Sequence, residues 1–270
     1  MSSGRSGAKT ASRRRLLALG AGCLAGGVAG CLGGSATSDG DEGPTAVASF
    51  FTFYDYARRL AEGTPITVEN LVPTGLHGHG WEPDPSIQRR ITDADAFVYV
   101  GPEFQPWADR AIETVADEPG ETAIVNAREG VDLIDLGEGL TEDEAVENAK
   151  DPHFWLDPQR AKRSVRTIAA GLAELAPEAE DAIGENASAL AADLDALDAD
   201  WESTVAAADR EVVFLAAHNA FGYVADRYDV TIEPLVVNLA ADGDVRPADM
   251  RRAQETIAAN DIRHIGAAVF

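Results

Sequence analysis

The chain holds five histidines among 270 residues, at positions 77, 79, 153, 218 and 264. Imidazole is the side chain that can work near neutral pH as acid, base or metal ligand. His79 lies in "LHGHGWEPDPS", His153 in "DPHFWLDP", and His218 opens "HNAFGYVADRY" straight after the apolar run "EVVFLAA". Their separations, 153 − 79 = 74 and 218 − 153 = 65 residues, carry no local signal, so any convergence must come from the fold. All three fall at strand-to-helix connections, where an α/β sheet places its ligand site. One such histidine is usually a cap or a packed polar residue; three in comparable positions point to a metal site, and from the pattern alone both readings stay open. Neutral imidazole suits zinc, copper, nickel or iron, whereas carboxylate-rich sets suit manganese and magnesium. Pro83, Pro85, Pro152 and Pro158 stiffen the surrounding loops and lower the entropy lost on closing around an ion. Glu82, Asp151 and Asp157 are near enough in sequence to orient an imidazole by hydrogen bonding. Capping or turn formation is the more ordinary role for each acid.

The elements that must position these residues alternate between strand and helix. "TAVASFF", "PITVENLVP", "AFVYVGP", "ETAIVNA" and "VDLIDL" read as strands, and "YDYARRLAEG", "PSIQRRITDAD" and "QPWADRAIETVAD" as helices. Strands separated by helices predict a parallel sheet covered on its faces. "GLTEDEAVENAKD" is an acidic insert, a solvated loop or short surface helix. Beyond "DPHFWLDP" come one helix, "PQRAKRSVRTIAAGLAELA", and a longer one opened by Pro177. Ile183, Leu190, Leu194, Leu197 and Trp201 form the predicted buried stripe of that longer helix. A second βα block follows: "EVVFLAA", "HNAFGYVADRY", "VTIEPLVV", "RPADMRRAQETIAAND" and "IRHIGAAVF". The expected fold is α/β, with two lobes, each a mainly parallel sheet flanked by helices, bridged by one long helix. The expected boundaries are 45–157 for the first lobe, 158–208 for the helical segment and 209–270 for the second lobe.

Composition narrows the function. Asp plus Glu number 46 against 22 Lys plus Arg, a formal charge of −24, which argues against nucleic acid as a partner. So acidic a surface suits very salty surroundings, where the screening length falls to about 3 Å at ~1 M salt. The first residues read as an address. Arg13, Arg14 and Arg15 precede a Gly/Ala-rich apolar stretch, which resembles a twin-arginine export signal. "VAGC" ending at Cys31 resembles a lipobox, with "GAG" before Cys23 a poorer match. Residues 1–31 are thus expected to be an export signal lipidated at Cys31, and 32–44 a polar tether. An ordinary secretory leader or a tail anchor is the alternative. With both cysteines in the leader, the folded part carries no disulfide.

"HGWEPDPS", "DPHFWLDPQRA" and "HNAFGYVADRY", in that order, resemble three motifs of the solute-binding proteins of zinc and manganese ABC importers. The resemblance runs from about Thr45 to Phe270. It implies a monomer lipid-anchored at the outer face of the cytoplasmic membrane, which holds the metal between its lobes and delivers it to a permease driven by an ATPase. It implies His79, His153 and His218 as the ligands of Zn2+, with Mn2+ second, since manganese members tend to carry a carboxylate at the third position. His77 falls outside the register of the first motif and reads as a surface residue; His264 reads as structural. The histidine-rich loop of many zinc members has here only an acidic counterpart, without histidine. The family continues past Phe270 and draws a carboxylate fourth ligand from a later loop, so the resemblance implies a second lobe that is incomplete. Two other classes stay in view. A surface or adhesion protein could keep the metal as a structural element. A zinc hydrolase or lyase could use three histidines and water, but no HExxH helix or nucleophile elbow is present.

Overall fold

The computed structural model of the chain describes residues 43–73, 81, 83–117, 122–135, 150–236 and 245–267. Cys23, Cys31, His77, His79 and Glu82 lie outside the described residues, as do the export signal and nearly all of the acidic insert.

The first four strands are β1 (Thr45–Ala48), β2 (Thr67–Asn70), β3 (Ala96–Tyr99) and β4 (Ala123–Asn126), all parallel in the order β2-β1-β3-β4. Helices α1 (Phe51–Leu60), α2 (Pro85–Asp93) and α3 (Pro106–Asp117) connect them. β3 is buried at every residue because its run is apolar toward both faces, as a strand covered on two sides requires. α2 begins where its sequence says it should. The Asp84 side chain accepts from the Ser86 amide at 2.6 Å, and Pro85 fills the first turn, where an absent N–H is no loss. α1 starts three residues earlier than the sequence suggests, at Phe51. The predicted strand end "SFF" turns once the Ser49 amide has donated to the Val98 carbonyl at 2.9 Å.

"VDLIDL" is not a strand. Residues 131–134 are irregular, and Asp135 makes only an isolated antiparallel bridge with Lys150. Its backbone finds partners outside a sheet: Arg160 Nε donates to the Asp132 carbonyl at 3.1 Å, and the Ile134 amide donates to the Tyr223 hydroxyl at 3.2 Å.

Helix α4 (Pro158–Leu175) buries Ala161, Val165, Ile168 and Leu172 on one stripe, in a core shared with α1 and the first sheet. Helix α5 (Glu180–Ala207) runs for 28 residues, about 42 Å at ~1.5 Å per residue. It follows a single 3-10 turn at Pro177–Ala179. Its buried stripe is Ile183, Leu190, Leu194 and Asp198, whereas Leu197 is 46% exposed. The expected apolar position passes to an aspartate because four-residue steps from Leu190 and Leu194 land on 198, and that carboxylate is fully hydrogen-bonded.

The second sheet contains β5 (Val212–His218), β6 (Thr231–Val236) and β7 (Gly266–Ala267), parallel in the order β6-β5-β7, with α6 (Gly222–Tyr228) and α7 (Pro247–Ala259) between them. It is thinly covered: of the seven residues of β5 only Phe214 is buried. No described helix is long and apolar enough to cross a membrane.

Candidate metal centre

The octapeptide "DPHFWLDP" is divided residue by residue. Phe154 is fully buried in the first core and stacks on Phe53, with ring centres 5.8 Å apart. Trp155 packs edge-on against Phe104 and tilts over Phe50, and its ring centre stands 5.4 Å from that of His153. Asp157 caps α4, accepting from the Gln159 and Arg160 amides at 2.8 and 3.3 Å. The Asp157 carboxylate also pairs with Arg160 and lies 3.8 Å from Arg227 Nε. Phe154, Trp155 and Asp157 thus fix the segment on which His153 stands.

Asp151 is hydrogen-bonded to His153 twice. Its Oδ1 accepts from the His153 amide at 2.8 Å and lies 2.8 Å from the ring nitrogen Nδ1 of the same residue. Both residues are buried. An ionised carboxylate only accepts, so this contact suits the tautomer with its proton on Nδ1 and the acceptor lone pair on Nε2. Asp157 does not share that role: its oxygens serve the cap and the arginines, the ordinary reading of such an acid.

His218 reaches the same place from the other sheet. It is the last residue of β5, the central strand, and not the first of a helix. The register of β5 shifts between Leu215 and His218. The carboxyl end of a strand whose neighbours lead off in opposite directions is where an open parallel sheet leaves a crevice. The ring centres of His153 and His218 are 5.3 Å apart, with planes inclined at 49°. Two imidazoles bound to one tetrahedral zinc, with Zn–N of about 2.0–2.1 Å and roughly 1.1 Å more to each ring centre, would stand about 5 Å apart. The observed pair has that spacing. A cavity of about 650 Å3 opens alongside, with Ile134, Asp135 and Asp151 on one side and Gly222, Glu233 and Arg246 among the residues on the other.

Of the predicted ligands, then, His153 and His218 are brought together, while His79 and its neighbour Glu82 lie outside the described residues. Among the described residues, no group of three or more His, Cys, Asp or Glu could hold a metal. His264 is exposed just ahead of β7.

Sequence reading missed the contribution of α6. The Tyr223 hydroxyl donates to the Asp151 carbonyl at 2.7 Å, and the guanidinium of Arg160 lies 4.8 Å above its ring. Burial pushes the Tyr223 phenol up to about 12, with the Ile134 amide pulling the other way, so it remains a donor at any physiological pH. Nearby, Asp198 on α5 accepts from Arg227 Nε and Nη2 at 2.6 Å each, from the Tyr228 hydroxyl at 2.8 Å and from Gln159 Nε2 at 2.9 Å. The Arg227 hydrogen bonds hold its carboxyl well below the usual aspartate range, against the opposing effect of burial. This knot ties α4, α5 and α6 together.

The family described as "Zinc-uptake complex component A periplasmic" (ZnuA) matches residues 46–268. The chain belongs to the ZnuA family. It is 30% identical over 224 residues to the high-affinity zinc uptake system protein ZnuA of Bacillus subtilis (strain 168), covering 81% of this chain and 68% of that protein. It is 29% identical over 195 residues to the manganese-binding lipoprotein MntA of Halalkalibacterium halodurans, covering 71% of this chain and 60% of that one. Against the longer zinc-binding lipoprotein AdcA of Streptococcus pneumoniae the match spans 44% of the relative's length at 28% identity. Among solved structures, the metal-dependent lipoprotein YcdH of Bacillus subtilis superposes with a TM-score of 0.69 at 26% identity, over 83% of this chain and 78% of that one. ZnuA-family membership agrees with the two parallel sheets and the long helix.

Proposed function

We propose that this chain is the extracytoplasmic metal-capturing component of an ABC importer, with zinc as its preferred cargo and manganese second. His79, His153 and His218 are the ligands in this reading, and Asp151 orients His153. The carrying observation is the 5.3 Å separation of two imidazoles, one from the segment ahead of α4 and hydrogen-bonded at Nδ1 to a buried carboxylate, the other from the end of β5. An imidazole-rich set favours zinc over manganese. Family membership supports a binding role rather than catalysis. It also supports a permease and an ATPase as partners, export to the outer face of the membrane, and anchoring through a lipid on Cys31. The chain is a monomer in this reading, with lobes at 45–157 and 209–270 and the helical segment 158–208 between them. Neither the adhesion reading nor the hydrolase reading gains an observation of its own among the described residues.

Zinc titration against a competing chelator tests the assignment. His79→Ala, His153→Ala and His218→Ala are each expected to lower affinity by ~100-fold or more, and His264→Ala to leave it unchanged. Equal loss in all four variants, or none in the first three, contradicts the ligand set.

A further inference from the structure

The helix that follows His218 does more than continue the second sheet. A Cβ built on Gly222 would stand 2.6 Å from Asp151 Oδ2, closer than real Cβ contacts come. The other oxygen of that carboxylate is the one on His153 Nδ1. The next residue, Tyr223, is fully buried within the first core although its helix belongs to the second βα block, and its hydroxyl bonds the Asp151 carbonyl at 2.7 Å while accepting from the Ile134 amide. Val224 and Tyr228, on other positions of the same helix, pack instead with Val230 and Trp201. α6 is therefore shared between the two packing units, and the side it turns to the first unit is the side that meets Asp151.

We propose that Gly222 and Tyr223 are positioning residues for the His153 imidazole: together they seat Asp151, and through it His153, across the crevice between the lobes. Gly222 leaves the space the carboxylate occupies; Tyr223 fixes the backbone that carries it. His218 is only 222 − 218 = 4 residues from Gly222, so one short segment both supplies a ligand and sets the orientation of the ligand opposite. Both features depend on the packing of α6 against the segment that carries Asp151. The inference rests on the metal-site reading above.

The test is zinc titration of the full chain in a double-mutant cycle, which isolates coupling between residues. Gly222→Ala alone should weaken zinc binding by about 10- to 100-fold, the usual effect of disturbing a ligand's orienting partner. Asp151→Ala should do the same. The double variant should bind no more weakly than Asp151→Ala, because the added methyl then has no carboxylate to displace. A Gly222→Ala variant that binds as the parent does, or whose full loss adds to that of Asp151→Ala, overturns the proposal. Far-UV circular dichroism guards against misfolding. If Gly222→Ala does not fold, Tyr223→Phe carries the test, since it keeps the ring and removes only the hydroxyl. A several-fold loss of affinity with unchanged dichroism is expected, and unchanged affinity overturns the role of the hydroxyl. His153→Ala separates the two readings. If it leaves binding intact, the metal site itself is wrong; if it abolishes binding while Gly222→Ala has no effect, only the positioning role fails.

Discussion

The two sheets of this molecule are built from similar βα units and packed very differently. β3 of the first sheet is buried at every residue, and β1 at all but its first. Phe53, Phe97, Phe154, Ile168 and Leu172 fill its two faces with almost no solvent contact. In the second sheet β5 buries only Phe214, β6 only Pro234, and Val213 and Ile265 stand 42% and 51% exposed. Among the described residues, His153 thus stands on a densely packed body and His218 at the end of a strand with few buried neighbours.

The contrast predicts unequal responses. The largest concerns the first core: Phe53→Ala should cost about 3–5 kcal/mol, the usual range for emptying a fully enclosed aromatic site, and urea unfolding would measure it. A loss under ~1 kcal/mol would mean that the core is not so tightly filled. Next comes the knot that joins the two regions. Asp198→Ala leaves Arg227 without its main partner and should cost about 3 kcal/mol. Its pH dependence has a definite sign. The native carboxyl is depressed, so its contribution is whole above the ordinary aspartate value near ~4 and is lost as the pH falls toward the native one. The parent's melting temperature should therefore drop on acidification below about pH 4 more steeply than that of Asp198→Asn; parallel curves would contradict this. Asp157→Ala removes the cap of α4 and should cost about 1–2 kcal/mol. Smallest is Val230→Ala in the second region, expected at about 1 kcal/mol because the site is shallow and can collapse. Amide hydrogen exchange would sharpen the comparison: protection should be high at β1 and β3 and low at β5 and β6, and equal protection would remove the distinction.

Much of this fold is visible in the sequence wherever a local rule decides the structure. The unbroken apolar run of β3, the Asp84–Pro85 start of α2 and Pro177 ahead of α5 each carry their own reason. "VDLIDL" misleads because it is rich in apolar residues but its backbone partners are side chains, Arg160 and Tyr223, from distant segments. Leu197 misleads because helical spacing alone cannot foresee that a carboxylate with four donors outcompetes a leucine for a buried position. The site follows the same division. His153 and His218 stand out as scarce residues at strand-to-helix junctions, and Asp151 as an acid two residues from an imidazole. The fit between Gly222 and Asp151 joins positions 71 apart in sequence (222 − 151), and no residue type announces it.

Zinc K-edge X-ray absorption on the zinc-loaded chain, compared with His153→Ala and His218→Ala, bears most directly on the central claim. The account predicts imidazole scattering from three ligands at about 2.0–2.1 Å in the parent, reduced by one in each variant. A parent spectrum without imidazole scattering, or one that neither substitution alters, would contradict it.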